Sequence, residues 1–294
     1  MSFSKKIKQE LSKLNNLANK EIVKAELIGY LITNNIKIQK HKIKFSTESE
    51  YNINRFAKLL SNLGIDNYEI SIQGKNFCIE MHKAIELKET TLSDNTLVLN
   101  NEINTLCSNE ILEKAIVRGS FLGSGSINNP EKIYHLEINY SNNHNACYIL
   151  EILNKYNINI KKMNNTLYLK DGEEISKLLA FMGANSSVLK FEEIRVIRDM
   201  RNNVNRLVNC ETANINKTIN AALKQIEDIK LIKQMNKFNE LPPNVQELAN
   251  IRLENPEISL VELGTLLSTP VGKSGVNYRM KVISNLAQEL RKNS

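Results

Sequence analysis

The apolar residues of this chain change period in a fixed order, and that order occurs twice. From residue 21 the run E-I-V-K-A-E-L-I-G-Y-L-I is dense enough for a buried helix, and it leads into residues 36–39 and 42–46. There I-K-I-Q and I-K-F-S alternate apolar with polar, which is what a half-buried strand requires. Residues 50–63 return to helical spacing through Ile53, Phe56, Leu59, Leu60 and Leu63, with Gly64 as the stop. Strands are expected at 67–72 and 77–81, turning across Gly74, while residues 82–109 show no regular period. The second pass has a helix at 110–122, strands at 126–127 and 134–140, and a helix at 143–156. Strands at 159–163 and 166–170 follow, then a helix at 173–182 closed by Gly183. Gly29 and Gly119 hold matching places in the two passes. The pattern predicts an α+β domain made by duplication over residues 1–183, with repeats at about 20–83 and 110–182. A short basic helix at 4–14 precedes it, capped by Ser4 and facing inward with Ile7, Leu11 and Leu14.

Residues 184–240 read as a helical linker. Within 191–208, Ile197, Met200, Val204, Leu207 and Val208 share one helical face, with Arg195, Arg198 and Arg206 opposite them. These arginines are candidate phosphate contacts. Asp199 and Glu192 interrupt the row, so a solvated face laced with ion pairs is the simpler account. A further helix is expected at 212–238, and Leu241-Pro242-Pro243 marks a boundary because proline restricts both itself and its predecessor.

Residues 241–294 form an all-α module with helices at 244–254, 259–267 and 273–291. Ser259 and Glu262 make a capping box, and S-T-P-V-G joins the last two helices in the manner of a helix-turn-helix. At 100° per residue, Val276, Met280, Ile283, Ala287 and Leu290 fall on one stripe and face the core. Ser274, Tyr278 and Lys281 then point outward with Asn277 on their flank. Those four are the candidates for base edges in a major groove, since Asn pairs bidentately with adenine and Ser and Lys donate less selectively. Lys273 and Arg279 suit phosphates. A three-helix protein-interaction domain is the alternative.

The formal net charge of +7 favours a polyanionic partner. Cys78, Cys107, Cys147 and Cys210 are far apart and form no C-x-x-C pair, so buried free thiols in a reducing compartment are expected. The four His residues show no metal-ligand spacing. No apolar run approaches the roughly 18 residues of a membrane span, and Lys5, Lys6 and Lys8 are not followed by the apolar core of a signal peptide. A cytoplasmic, nucleoid-associated protein is the expectation.

The stretch I-V-R-G-S-F-L-G-S-G-S-I from Ile116 carries the most specific signal. Glycine is costly late in a helix unless backbones must approach closely or the chain must turn. This resembles the LAGLIDADG motif of homing endonucleases, in which two such helices pack together and an acid at each foot binds metal. Together with S-F-S-K-K-I-K-Q-E-L, P-E-K-I-Y-H-L-E-I, N-R-L-V-N-C-E-T-A-N and G-K-S-G-V-N-Y-R-M, it makes the chain similar, end to end, to the WhiA family of bacterial transcription regulators. The resemblance implies a degenerate LAGLIDADG domain followed by a helix-turn-helix domain like the promoter-reading domain of sigma factors. It implies double-stranded DNA as partner, with other transcription regulators or RNA polymerase as candidates, and control of cell-division, chromosome-segregation or sporulation genes. The chain departs from the family at Gly272 and Tyr278, where Ser and His are expected, which leaves the target sequence open.

The acidic positions implied by the homing endonucleases fall on Asn34 and Ser124, both neutral, and Glu26 and Glu113 stand two to three turns earlier. A hard divalent cation needs anionic oxygens beside the scissile phosphate. No catalytic residue, metal or cofactor is therefore expected. Residual metal-dependent nuclease activity and an N-terminal protein-docking platform stand as alternatives to a regulator. A monomer is expected, because duplication supplies the symmetry that single-motif endonucleases obtain by dimerising.

Overall fold

A computed structural model of the protein describes residues 2–39, 42–82 and 87–292, and the chain divides into two compact units, Met1–Asp199 and Met200–Ser294. The first repeat of the N-terminal unit follows α1 (Phe3–Ser12) and comprises α2 (Lys20–Leu31), β1 (Ile36–Gln39), β2 (Lys42–Thr47), α3 (Glu50–Asn62), β3 (Tyr68–Gln73) and β4 (Asn76–Met81). A hairpin, β5 (Thr90–Ser93) and β6 (Thr96–Leu99), and a short α4 (Glu102–Leu106) intervene. The second repeat is α5 (Glu110–Ser124), β7 (Ser126–Ile127), β8 (Leu136–Asn139), α6 (Asn143–Lys155), β9 (Lys161–Met163), β10 (Thr166–Leu169) and α7 (Gly172–Met182). Both four-stranded sheets are antiparallel with equivalent orders, β1-β2-β4-β3 and β7-β8-β10-β9. The mixed helix-and-sheet class expected from the pattern is the one found.

Local chemistry repeats along with the topology. Asn19 and Asn109 cap the central helices α2 and α5, each accepting from two first-turn amides. Ser49 and Asn142 cap α3 and α6, each accepting from one first-turn amide. Where Gly64 takes φ +72° after α3, Asn157 takes +56° after α6, and the hairpin positions Gly74 and Asn164 sit at +62° and +52°. Asn is the side chain that best tolerates this left-handed region, so the copies diverged in sequence while keeping one backbone.

Several expectations are corrected. Residues 82–109 are not irregular throughout, because Asp94 and Asn95 at φ 47° and 59° turn the β5–β6 hairpin tightly. Asn145 holds that hairpin to the second repeat, accepting from the Leu99 amide at 3.0 Å and donating to the Leu97 carbonyl at 2.8 Å. Helix α1 is capped by Ser2 rather than Ser4. Strands β8 and β9 start later than the pattern suggested, at Leu136 and Lys161. The two linker helices are one 50-residue helix, α8 (Asn185–Gln234), since nothing near residue 210 breaks it. On it Ile197, Met200, Val204, Leu207 and Val208 are exposed. Of the cysteines, Cys78 and Cys107 are buried, Cys147 is half-buried and Cys210, on α8, is exposed.

The N-terminal unit turns on the seam between α2 and α5. A Cβ on Gly29 would lie 2.2 Å from the Ile116 carbonyl oxygen, and one on Gly119 would lie 2.0 Å from that of Glu26. Each glycine thus faces the carbonyl three residues before the other glycine. At the feet of the helices the copies exchange hydrogen bonds, with Asn52 Nδ2 donating to Leu122 O at 2.8 Å and Asn145 Nδ2 to Ile32 O at 3.5 Å. The symmetry breaks at Glu26, whose counterpart is Ile116. The Glu26 carboxylate is fully buried and receives Arg55 Nε at 2.8 Å and Nη2 at 3.0 Å, and Arg118 Nε at 2.9 Å. Arg55 Nη1 continues to Leu14 O at 2.7 Å and Arg118 Nη1 to Met182 O at 3.3 Å, so one carboxylate joins the ends of α1 and α7 to the seam. Burial alone would raise the Glu26 carboxyl, but Arg118 and Arg55 together hold it below its ordinary value.

Two outcomes follow. Gly29→Ala or Gly119→Ala is expected to cost about 3 kcal/mol or more by overpacking backbone against backbone, lowering the melting temperature by roughly 6–12 °C. Glu26→Gln leaves two buried guanidiniums short of an anion, at a cost of about 3–5 kcal/mol near neutral pH. A depressed carboxyl stabilises above its unfolded value of about 4.3 and loses that contribution as pH falls through its folded value. Denaturant titrations across pH should therefore show the gap between wild type and Glu26→Gln closing in acid and widening toward neutrality.

Candidate nucleic-acid interface

The positions that correspond to metal-binding acids lie where α2 and α5 deliver the chain into β1 and β7. Ser124 is 7% exposed and its hydroxyl is engaged on both sides, donating to Asn139 O at 2.6 Å and accepting from Asn139 N at 3.0 Å. Asn34 is exposed, and its backbone N–H donates to the same Asn139 carbonyl at 3.1 Å. The neighbouring acids serve the scaffold. Glu26 is held by its two arginines, and Glu113 by Lys155 at 3.0 Å and by the Tyr156 hydroxyl. Among the described residues no group of three His, Cys, Asp or Glu is placed to hold a metal ion.

In the C-terminal unit, α9 (Pro243–Glu254), α10 (Leu260–Thr265) and α11 (Lys273–Lys292) pack with the last turns of α8. Their shared core includes Ile229, Ile232, Leu248, Leu263, Val276, Met280, Ile283 and Ala287. Ser259 and Glu262 form the capping box that starts α10. Gly264 lets the turn fold back, since a Cβ there would sit 2.1 Å from the Val271 carbonyl oxygen while the Val271 amide donates to Gly264 O at 3.0 Å. Glu247 on α9 steadies the same turn by accepting from Ser268 N at 2.6 Å and Ser268 Oγ at 3.1 Å. At the other end, Arg291 of α11 reaches the buried Asp228 of α8 at 2.7 Å. Both ends of α11 are thereby fixed before any ligand arrives.

Fixing one face of α11 decides what the other presents. Lys273, Ser274, Asn277, Tyr278 and Lys281 are all exposed, Tyr278 at 72%. Arg279 is half-buried and donates to the Asn244 carbonyl at 3.3 Å. The structure therefore brings five of the six residues singled out on this helix onto one open face and turns the sixth toward α9. The arginines of α8 are dispersed. Arg195 pairs with Glu192 at 2.8 Å, and Arg198 donates to Pro130 O at 2.5 Å with its guanidinium 4.0 Å from the Tyr134 ring centre. Arg206 lies on the exposed part of α8. Two residues missed in the sequence also belong to the C-terminal unit, Arg252 and Lys217. Arg252 follows Val245, Leu248 and Ala249 on the inward face of α9, a spacing that marks a buried cation.

A duplicated LAGLIDADG-like domain followed by a helix-turn-helix unit defines the class of protein. The family model for the WhiA LAGLIDADG-like domain matches residues 113–201, and that for the WhiA C-terminal HTH domain matches residues 204–287. The chain is 40% identical to the probable cell division protein WhiA of Clostridium tetani over 99% of each chain. It is 37% identical to that of Staphylococcus aureus over 99% of this chain and 98% of the other. The crystal structure of full-length DUF199/WhiA from Thermatoga maritima superposes with a TM-score of 0.55 at 26% identity, covering 98% of this chain and 99% of that one. The chain belongs to the WhiA family. No helix among the described residues is long and apolar enough to cross a membrane.

The turn gives a test. Gly264→Ala is expected to open the helix-turn-helix, seen as lost hydrogen-exchange protection in α9–α11 with protection in α2 and α5 retained. Equal protection in both units would contradict the packing described.

Proposed function

We propose that the protein is a sequence-specific transcription regulator that reads duplex DNA with α11 and does not cut it. One observation carries this reading: Lys273, Ser274, Asn277, Tyr278 and Lys281 form an exposed polar row on a helix whose opposite face is core. A helix fits the major groove of B-DNA, where an Asn carboxamide pairs with adenine N6 and N7. Asn277 takes that role, Ser274 and Lys281 donate to neighbouring acceptors, and the Tyr278 ring supplies an apolar edge for a thymine methyl. Lys273 and Arg279 serve the flanking phosphates, with Arg206 as a further contact along α8.

The absence of cutting rests on Ser124, spent on Asn139, and on Asn34, which is neutral. Relatives named as cell division proteins support a role at cell-division genes, with chromosome segregation and sporulation as the wider circle. The protein acts as a monomer. One further observation favours a docking role for residues 1–183 toward another regulator or RNA polymerase. Three pairs of outward side chains on the sheets bond each other, Lys42 to Glu80 at 3.0 Å, Lys44 to Gln73 at 2.9 Å and Thr166 to Asn139 at 2.6 Å, and these six are engaged within the fold.

Asn277→Ala should weaken promoter binding by about 1–3 kcal/mol and relax preference at an adenine, whereas Lys281→Ala should weaken related sequences more evenly. Gel-shift titrations against a selected site and its single-base variants check both. Unchanged affinity and preference in the double variant would remove the reading, and plasmid nicking by pure protein with Mg²⁺ or Mn²⁺ would replace it with a nuclease.

A further inference from the structure

A cavity of about 280 Å³ opens on the C-terminal unit between α8, the C-terminal end of α9 and the starts of α10 and α11. Lys217, Gln225, Arg252, Ser259 and Lys273 line it. Arg252 is 2% exposed, yet among the described residues no carboxylate lies within ion-pair reach of it. Its guanidinium donates Nε to Gln225 Oε1 at 3.1 Å and Nη1 to Ile258 O at 2.7 Å. Two of five N–H groups are thus bonded to neutral acceptors, and the charge stays uncompensated. Burial lowers the Arg252 pKa, but a guanidinium does not give up its proton in a protein. A buried, permanent, unpaired cation is costly unless an anion joins it. Lys217 and Lys273 at the mouth are exposed and also have no carboxylate partner among the described residues. Among the described residues no acid completes this site, which leaves the guanidinium and the two ammonium groups to an anionic ligand.

We propose that this cavity seats a phosphate of the DNA backbone, with Arg252 as the buried anchor and Lys217 and Lys273 closing over it. This rests on the reading of α11 as the DNA-contacting helix, because Lys273 belongs to both the cavity and the start of that helix. Seating a phosphate there fixes the register of α11 in the groove and extends the contact surface onto α8. The contact is blind to sequence, as phosphate contacts are.

Full-length protein is titrated by fluorescence anisotropy into a promoter fragment and into a scrambled duplex over a range of salt. Lys217→Ala, an exposed change that leaves the core untouched, is expected to lose affinity by the same factor on both duplexes. Its slope of log K against log salt should become shallower by about 0.9, one phosphate's worth. Arg252→Gln should do the same, and Arg252→Lys should recover part of the loss. An unchanged slope and affinity for Lys217→Ala, with Asn277→Ala still impairing promoter binding, overturns the phosphate seat and leaves the DNA reading standing. Wild-type protein that binds neither duplex overturns both. A melting temperature raised by inorganic phosphate in wild type but not in Lys217→Ala, with an unchanged DNA slope, assigns the cavity to a small phosphate and also overturns the proposal.

Discussion

The approach of α2 to α5 sets the N-terminal unit, because each helix places a glycine where the other presents a carbonyl oxygen, with no room for a side chain between them. That distance fixes the two sheets at equivalent places and lets Asn52 and Asn145 reach across to the far helix. It also brings Arg118 of one repeat onto Glu26 of the other, turning a close contact into a buried ion network. Such a network adds little net stability over an apolar pair, but breaking it leaves charges stranded. Its effect is to hold the repeats and the flanking helices in one arrangement.

The same seam explains how a LAGLIDADG-like architecture can persist without acids at the feet of its central helices. Packing depends on Gly29, Gly119 and the helix feet, none of which needs a carboxylate at position 34 or 124. Ser124 has been drawn into the fold, its hydroxyl closing on the backbone of Asn139. In the proposed reading, recognition falls to the C-terminal unit, where Gly264 and Glu247 set the turn and Arg291 holds the far end of α11.

The duplication, its central glycines and the outward row of α11 were legible in the sequence because each leaves a short-range mark: a change of period, a costly residue in a helix, or a stripe at 100° per residue. The β5–β6 hairpin was not, since its strands are short and its turn uses Asp94 and Asn95 without glycine. The continuity of α8 was missed because its exposed apolar face imitates two helices that each bury one. For Arg252 the spacing marks burial on the inward face of α9, but an arginine in a helix carries no sign of what lies opposite it. Its lack of a carboxylate partner is a fact of three dimensions.

The central claim is that DNA is met by α11 and not by the vacated foot of the LAGLIDADG-like pair. Placing a benzophenone photocrosslinker at Tyr278 in one protein and at Asn34 in another, then irradiating each on its promoter, puts that most directly to the test. The account predicts covalent attachment to DNA from position 278 and none from position 34; attachment from position 34 with none from position 278 would contradict it.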